Sequence, residues 1–269
     1  SKTVWALADC DSFFASCEIA RDPKLRGKPV CIWKKGDIIL AASYEAKRQG
    51  VTTGTPSREA SQILGSQAVF IAPNFSLYAK TSKRVFQLLK QYSSELQQYS
   101  IDEAYLDITQ SNRKQNTASY KIYVQHIQSQ IYKHTRIPVS FWVAPTKLLA
   151  KIFASLDKPY WLHVSIHTHD IEKSLKNLKI TQIPYIGKQR AKKLPRCDSI
   201  LDFMETKQIT IKKKMGLHGL KIWHELHQTN CLQFRKNKHP QSISRRKSFH
   251  PNFTDSKELL WSKLISNIE

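Results

Sequence analysis

Asp102 and Glu103 stand side by side in Tyr99-Ser100-Ile101-Asp102-Glu103-Ala104-Tyr105-Leu106-Asp107-Ile108, a stretch otherwise rich in strand formers. Neighbouring strand side chains point to opposite faces. Both carboxylates therefore reach one ion only where the strand twists or bulges, or where the ion sits at its edge. Burying two unpaired carboxylates costs roughly several kcal/mol, so a cation or solvent must accompany them. A second acidic strand end, Asp9, closes the apolar run Val4-Trp5-Ala6-Leu7-Ala8. Pairing the two strands would gather Asp9, Asp102 and Glu103 into one hard-oxygen site suited to Mg2+. With a formal net charge of +22, such strand ends point to metal-dependent chemistry on a polyanion. An isolated Asp-Glu pair more often marks a solvated hairpin, so the surrounding residues must decide.

The basic excess is spread along the chain: residues 1–160 carry 22 basic and 12 acidic side chains, residues 161–269 carry 21 and 9. That distribution reads as a nucleic-acid-facing surface with salt-sensitive affinity. Charge alone leaves a ribosome-associated or membrane-surface protein open. The 269 residues, 41% hydrophobic, suffice for one large or two to three small domains. No apolar run approaches the roughly 20 residues that span a bilayer, and no signal-peptide pattern opens the chain. Cys10, Cys17, Cys31, Cys197 and Cys231 form no Cys-x-x-Cys pair and read as reduced thiols of a cytoplasmic protein without a membrane partner.

The elements that must position these groups follow from periodicity and punctuation. A buried strand is predicted over residues 3–10, then a short helix over 12–20 with Ser12 as its cap. Strands Val30–Trp33 and Ile38–Ala42 join through Lys34-Lys35-Gly36-Asp37. Helices are predicted at Tyr44–Gln49, stopped by Gly50, and at Ser57–Leu64. Leu77, Tyr78, Val85, Leu88, Leu89 and Leu96 predict a long amphipathic helical stretch over 76–98. Another helix is expected at Ser119–Lys133, then the strand Val139–Ala144. A helix over Thr146–Leu156 carries Lys147 and Lys151 one turn apart. Residues 161–232 read as helical and basic. The histidines at 163, 167, 169 and at 218, 224, 227 read as exposed members of that surface rather than a zinc set. Residues 234–247 read as a basic linker.

Asp9-Cys10-Asp11-Ser12-Phe13-Phe14-Ala15-Ser16-Cys17-Glu18 and Ser100-Ile101-Asp102-Glu103-Ala104 resemble the two active-site motifs of Y-family DNA polymerases. The polymerase V catalytic subunit (UmuC-like) is the branch resembled most. Gly27-Lys28-Pro29-Val30, Tyr44-Glu45-Ala46-Lys47, Asn74-Phe75-Ser76-Leu77-Tyr78 and Ala144-Pro145-Thr146-Lys147-Leu148-Leu149-Ala150-Lys151 continue the resemblance in matching order. It is strong over residues 3–160 and weak over 161–260. It implies an α+β right-hand polymerase core. The palm is expected at 1–20 and 75–160, small fingers at 21–74, and a helical thumb at 161–233. Residues 234–269 would be a linker and the start of a little finger, with Ser242–Glu269 resembling only its first strand and helix.

The resemblance further implies template-directed, error-prone translesion synthesis without proofreading. Two Mg2+ ions, with Mn2+ as a substitute, would lie among Asp9, Asp102, Glu103 and the Cys10 backbone carbonyl. Phe14 would be the steric gate against ribonucleotides, with Phe13 beside it, and Tyr44, Lys47 and Lys151 would hold the triphosphate. Lys47 replaces the Arg of other branches. Gly187, Lys188, Lys192 and Lys193 would meet DNA through the first half of a helix-hairpin-helix. Its second half, Pro195–Ile200, is short and lacks the turn glycine. Implied partners are primer-template DNA, deoxynucleoside triphosphates, and a sliding clamp or SOS accessory proteins; the implied location is a bacterial-type nucleoid. The family's two strand glycines before Ala144 are replaced by Phe141, Trp142 and Val143. That bulk either crowds the palm or is matched by other core changes. The rival reading is a catalytically impaired relative acting as a DNA-binding or regulatory protein. A nucleotide cyclase with a similar palm lacks its expected Gly-Gly-acidic signature.

Overall fold

The computed structural model describes residues 3–34, 38–111, 116–156 and 159–231. In chain order the elements are β1 (Trp5–Cys10), α1 (Phe13–Arg21), β2 (Val30–Trp33), β3 (Ile39–Ala42), α2 (Tyr44–Arg48), α3 (Ser57–Leu64), β4 (Val69–Ile71), α4 (Phe75–Leu89) and β5 (Glu95–Gln98). They continue with β6 (Glu103–Asp107), α5 (Thr117–Thr135), β7 (Val139–Ala144), α6 (Lys147–Phe153), β8 (Leu162–Val164), α7 (Thr168–Leu175), α8 (Lys188–Ala191), α9 (Ile200–Glu205) and α10 (Gln208–Leu226). This is a mixed α+β fold. Among the described residues, no helix is long and apolar enough to cross a membrane.

Strand β1 is the centre of a five-stranded sheet ordered β5-β6-β1-β7-β8, antiparallel to both β6 and β7. Its pleat divides its side chains between two cores. Ala6, Ala8 and Cys10 join Ala104, Leu106, Phe141 and Val143 in the core that includes residues of α1, α4 and α5. Trp5 and Leu7 join Tyr105, Trp142 and Ala144 in the core shared with α6, α7, α9 and α10. The register accounts for the bulk at 141–143. Phe141 pairs with Ala8, Val143 with Ala6, and the other neighbour of Ala8 is Ala104. Alanines on β1 and β6 leave the volume that Phe141 and Val143 fill, and all five side chains are buried. Compensation, not crowding, is what this five-stranded sheet displays.

A three-stranded sheet, β3-β2-β4, carries α2 and α3 and has its own small core of Cys31, Ile39, Ala42, Ala46, Val51, Ala60 and Leu64. Gly50, with φ +100°, turns the chain after α2 in a backbone region that side chains disfavour.

Three expectations are corrected. The helix expected over 76–98 ends at Leu89; a 3-10 turn, Lys90–Tyr92, follows, and Glu95–Gln98 is strand β5. Leu96 matches helical spacing but instead pairs with Leu106 across the sheet. Residues 161–232 are not all helical: Leu162–Val164 lies parallel to β7, so the five-stranded sheet runs past the expected palm limit at residue 160. Ser12 stands at the helix start in left-handed backbone (φ 45°), and its side chain makes no capping bond. The turn residues 35–37, the linker at 234–247 and the tail Ser242–Glu269 lie outside the described residues.

Candidate active site at the ends of the central strands

Register brings the first two carboxylates together. Asp9 of β1 pairs with Glu103 of β6 and with Ser140 of β7. Asp9 and Glu103 share the sheet face of Leu7 and Tyr105, the face toward α6. Asp102 lies in the bend before β6, so the pleat does not send it to the opposite face. The Cys10 N–H donates to the Asp102 carbonyl at 2.9 Å, which ties the bend to the end of β1. Ser100 Oγ accepts from the N–H groups of Asp102 (3.3 Å) and Glu103 (3.1 Å) and donates to Asp102 Oδ1. Cys10 is buried beside them. Burial, then the charges of Asp9 and Asp102, hold its thiol well above the ordinary range.

Lys151 comes from α6. Its ammonium pairs with Glu103 Oε1 and lies 5.3 Å from the Tyr99 ring centroid. Among the described residues no three His, Cys, Asp or Glu side chains stand together as a metal-holding group. Glu103 is turned to Lys151 and Asp102 to Ser100. The donor chemistry of Asp9, Asp102 and Glu103 still fits a hard divalent cation, with Asp9 and Glu103 paired in register and Asp102 tied to the end of β1 through Cys10. Lys147, one turn earlier, is buried. It lies 3.9 Å from the Trp5 ring centroid and donates to Gln97 Oε1 at 2.6 Å. Burial lowers its pKa, against the opposing pull of Glu95, Glu225 and Asp107. The two lysines therefore do different work despite their shared helix.

Phe14 is half-buried at the start of α1. It stacks on Tyr78 with centroids 4.4 Å apart and rings at 13°, and meets Phe75 edge-on at 6.0 Å. Phe13 is buried in the core, its ring 5.9 Å from Phe14. Tyr78 is in turn held by buried Glu18, whose Oε1 accepts from its hydroxyl at 3.0 Å; Arg21 pairs with the other oxygen at 2.8 Å. Sequence reasoning gave Tyr78 and Glu18 no role toward Phe14. The signal available was a buried-face Glu on the same helix as the aromatic pair.

From the smaller sheet, α2 delivers Tyr44 and Lys47 to the β1–α1 turn. Lys47 Nζ donates to Ser12 Oγ at 2.8 Å and lies 4.6 Å from the Tyr44 ring centroid. Tyr44 Oη approaches Asp11 Oδ1 at 3.5 Å, and burial followed by the Asp11 and Asp9 charges pushes its phenol pKa up. Asp11, which sequence reasoning left without a function, is a fully buried anchor. It accepts from Ser140 Oγ at 2.8 and 2.9 Å and from the Tyr160 N–H at 2.7 Å.

The structure does not bring Gly187, Lys188, Lys192 and Lys193 to this cluster. They are exposed around α8, a four-residue helix. The turn before it places Tyr185 at φ 72°, with its hydroxyl 3.5 Å from that of Tyr99. The second half of the expected hairpin leads into α9, capped by a reciprocal Ser199–Asp202 pair. The histidines are dispersed. His163 bonds Ser165 at 2.8 Å, and His227 stacks on Trp223 at 3.6 Å.

A sheet that gathers carboxylates at one end, faced by cations from a helix and a smaller sheet domain, is the architecture of a DNA polymerase. Residues 8–155 match the impB/mucB/samB family. The chain is 30% identical over 258 residues to DNA polymerase IV of Staphylococcus aureus (strain bovine RF122 / ET3-1), covering 94% of this chain and 77% of that protein. The same protein of strain JH9 matches at 30% identity, with 71% of its length covered. Among solved structures, a Dbh ternary complex with partially disordered substrates superposes with a TM-score of 0.72 at 31% identity, covering 82% of this chain and 67% of that one. DinB from Sulfolobus solfataricus gives 0.69 at 30% identity, over 84% and 67%. The chain belongs to the impB/mucB/samB family, the Y-family of translesion DNA polymerases.

Proposed function

We propose that this chain adds deoxynucleotides to a primer on a DNA template, and that Asp9, Asp102, Glu103 and the Cys10 carbonyl hold the divalent cations of that reaction. The observation that carries the reading is the register pairing of Asp9 with Glu103, with Asp102 tied beside them through Cys10. Two Mg2+ ions bound there supply an acidified primer 3′-hydroxyl and charge neutralisation on the leaving diphosphate. Tyr44, Lys47 and Lys151 are assigned to the triphosphate. Lys151 exchanges Glu103 for a phosphate, which releases Glu103 to its ligand role. Lys47 offers a point charge where a bidentate Arg fork is the alternative. Phe14, braced by Tyr78, closes the space a 2′-hydroxyl would need.

The palm is assigned to residues 1–20 and 75–160 extended by β8, the fingers to 21–74 and the thumb to the remainder of 161–233. Gly187, Lys188, Lys192 and Lys193 are assigned to backbone contacts with primer-template DNA. The linker and little-finger assignment at 234–269 rests on the sequence. Error-prone synthesis past lesions and the lack of proofreading come from the family. The matched Dbh structures include a ternary complex and an insertion ternary complex, which supports joint binding of DNA and nucleotide. The polymerase V branch rests on residues such as Lys47; the relatives cited above carry the polymerase IV name. No described surface is assigned to a sliding clamp or SOS accessory protein. The impaired-relative reading rests on the filled glycines, the incomplete hairpin and the missing remainder of the little finger, and the fit of Phe141 and Val143 against alanines removes the first of these. Primer extension by this chain with Mg2+, with and without a chelator, tests the proposal. Chelator-sensitive addition of complementary deoxynucleotides is expected. No extension, also when a complete little finger is supplied, refutes it.

A further inference from the structure

A cavity of about 460 Å³ lies beside the phosphate-contact residues without including the carboxylates, Phe14 or Lys151. Its volume falls within the roughly 300–1,000 Å³ of small-ligand sites. It shares Tyr44 with the candidate triphosphate contacts and includes Ser12, which accepts from Lys47; beyond them Arg26, Arg48 and Arg136 line it, against one carboxylate, Glu45. Among the described residues none of these guanidinium groups pairs with a carboxylate. Arg136 lies 5.8 Å from the Tyr132 ring centroid.

Five described non-glycine residues have positive φ, and three of them, Ser12 (45°), Arg136 (60°) and Tyr160 (51°), line this one cavity. Left-handed backbone at such residues costs free energy and gathers at ligand sites. Buried Asp11 sustains it at Tyr160 by accepting the N–H at 2.7 Å.

We propose that this cavity is an anion subsite for inorganic pyrophosphate, receiving the diphosphate after nucleotide addition. The proposal rests on the polymerase reading above. In that reaction the primer 3′-oxygen bonds to the α-phosphorus and loses its proton to water. The bond from that phosphorus to the α,β-bridging oxygen breaks, and the bridging oxygen leaves with the electron pair as part of the diphosphate. The leaving group is small, multiply charged and rich in acceptors, which suits guanidinium forks. Tyr44, a candidate triphosphate contact, lines the same cavity as the arginines.

Titration of the full chain with inorganic pyrophosphate, without DNA, nucleotide or divalent metal, tests the subsite. Binding is read by calorimetry and phosphorus NMR. The Arg26→Ala/Arg48→Ala/Arg136→Ala variant is expected to bind at least about tenfold more weakly, as removal of charge-assisted hydrogen bonds requires. A matched charge control on exposed lysines, Lys83→Ala/Lys121→Ala/Lys173→Ala, is expected to bind within about twofold of the parent. In steady-state extension, inhibition by added pyrophosphate should weaken in the arginine variant. Should that triple variant fail to fold by circular dichroism, Arg48→Ala and Arg136→Ala singly are each expected to weaken binding about threefold. No binding by the parent, equal weakening in the lysine control, or unchanged binding in the arginine variants overturns the proposal. If the parent extends primers but the arginine variants bind normally, the subsite fails and the polymerase reading stands. If the binding pattern holds without primer extension, also when a complete little finger is supplied, the anion subsite stands and the polymerase reading fails.

Discussion

The strand end that holds Asp9, Asp102 and Glu103 and the exposed lysines around α8 solve opposite problems. At the strand end, two antiparallel pairings and a hydroxyl-pinned bend fix the backbone that carries each carboxylate. Around α8, Lys188, Lys192 and Lys193 stand on a short exposed helix and the turn after it. Catalysis needs charges fixed to within fractions of an ångström, whereas holding a phosphate backbone needs enough cations of one sign. The first region therefore concentrates its information in a few residues and the second dilutes it over many.

Asp102→Ala/Glu103→Ala is the harshest way to test that contrast. Nucleotide addition should fall by about a thousandfold or more, while primer-template affinity changes by less than about twofold. Extension near the parent rate would remove the metal assignment. A smaller effect is expected at Phe14. Phe14→Ala should raise ribonucleotide relative to deoxynucleotide incorporation by about ten- to a hundredfold, because the opened space no longer rejects the 2′-hydroxyl. Unchanged sugar selectivity in a competition assay would return Phe14 to the aromatic stack with Tyr78 and nothing more.

Removing Lys188, Lys192 and Lys193 together should leave the rate at saturating DNA intact. The plot of log affinity against log salt should become shallower by up to about 3, near one for each phosphate no longer neutralised. A parallel line would mean these lysines touch no phosphate. The mildest test is thiol labelling near pH 8. Burial holds Cys31 and Cys197 at about 11 and Cys17 at about 12, so their thiolates are scarce. Half-exposed Cys231 should therefore label first in native protein. Labelling of Cys10 or Cys17 before Cys231 by peptide mass spectrometry would show that the palm frame opens readily.

Much of the five-stranded sheet was legible in the sequence because its acidic residues coincide with strand ends. Asp9 closes an apolar run, and Glu103 opens one, so pairing the runs also pairs the carboxylates. The end of α4 was not legible, since Leu96 sits seven residues after Leu89 and imitates another turn of helix. Strand β8 is only three residues long and announces itself only through its partner. Asp11 was hidden for a different reason: Ser140 and Tyr160, which define its work, lie 129 and 149 residues away. Periodicity reports what a residue's own element does, and it is silent about partners recruited across the chain.

Glu225 of α10 shows what the shared core means. Its buried carboxylate accepts the Leu148 N–H at the start of α6 (3.4 Å) and the Cys231 N–H at 2.6 Å, while its carbonyl accepts from Thr146 Oγ1 at 3.0 Å. The last long helix is thus keyed into the helix that carries Lys151. Prising them apart would strand that carboxylate and bare Phe153, Phe203 and Ile222, at roughly 1.5–3 kcal/mol for each side chain. Under the assignment proposed above, the part of the chain that meets a duplex is thus fastened to the nucleotide side of the molecule by packing and hydrogen bonds, with no loop between them at this seam.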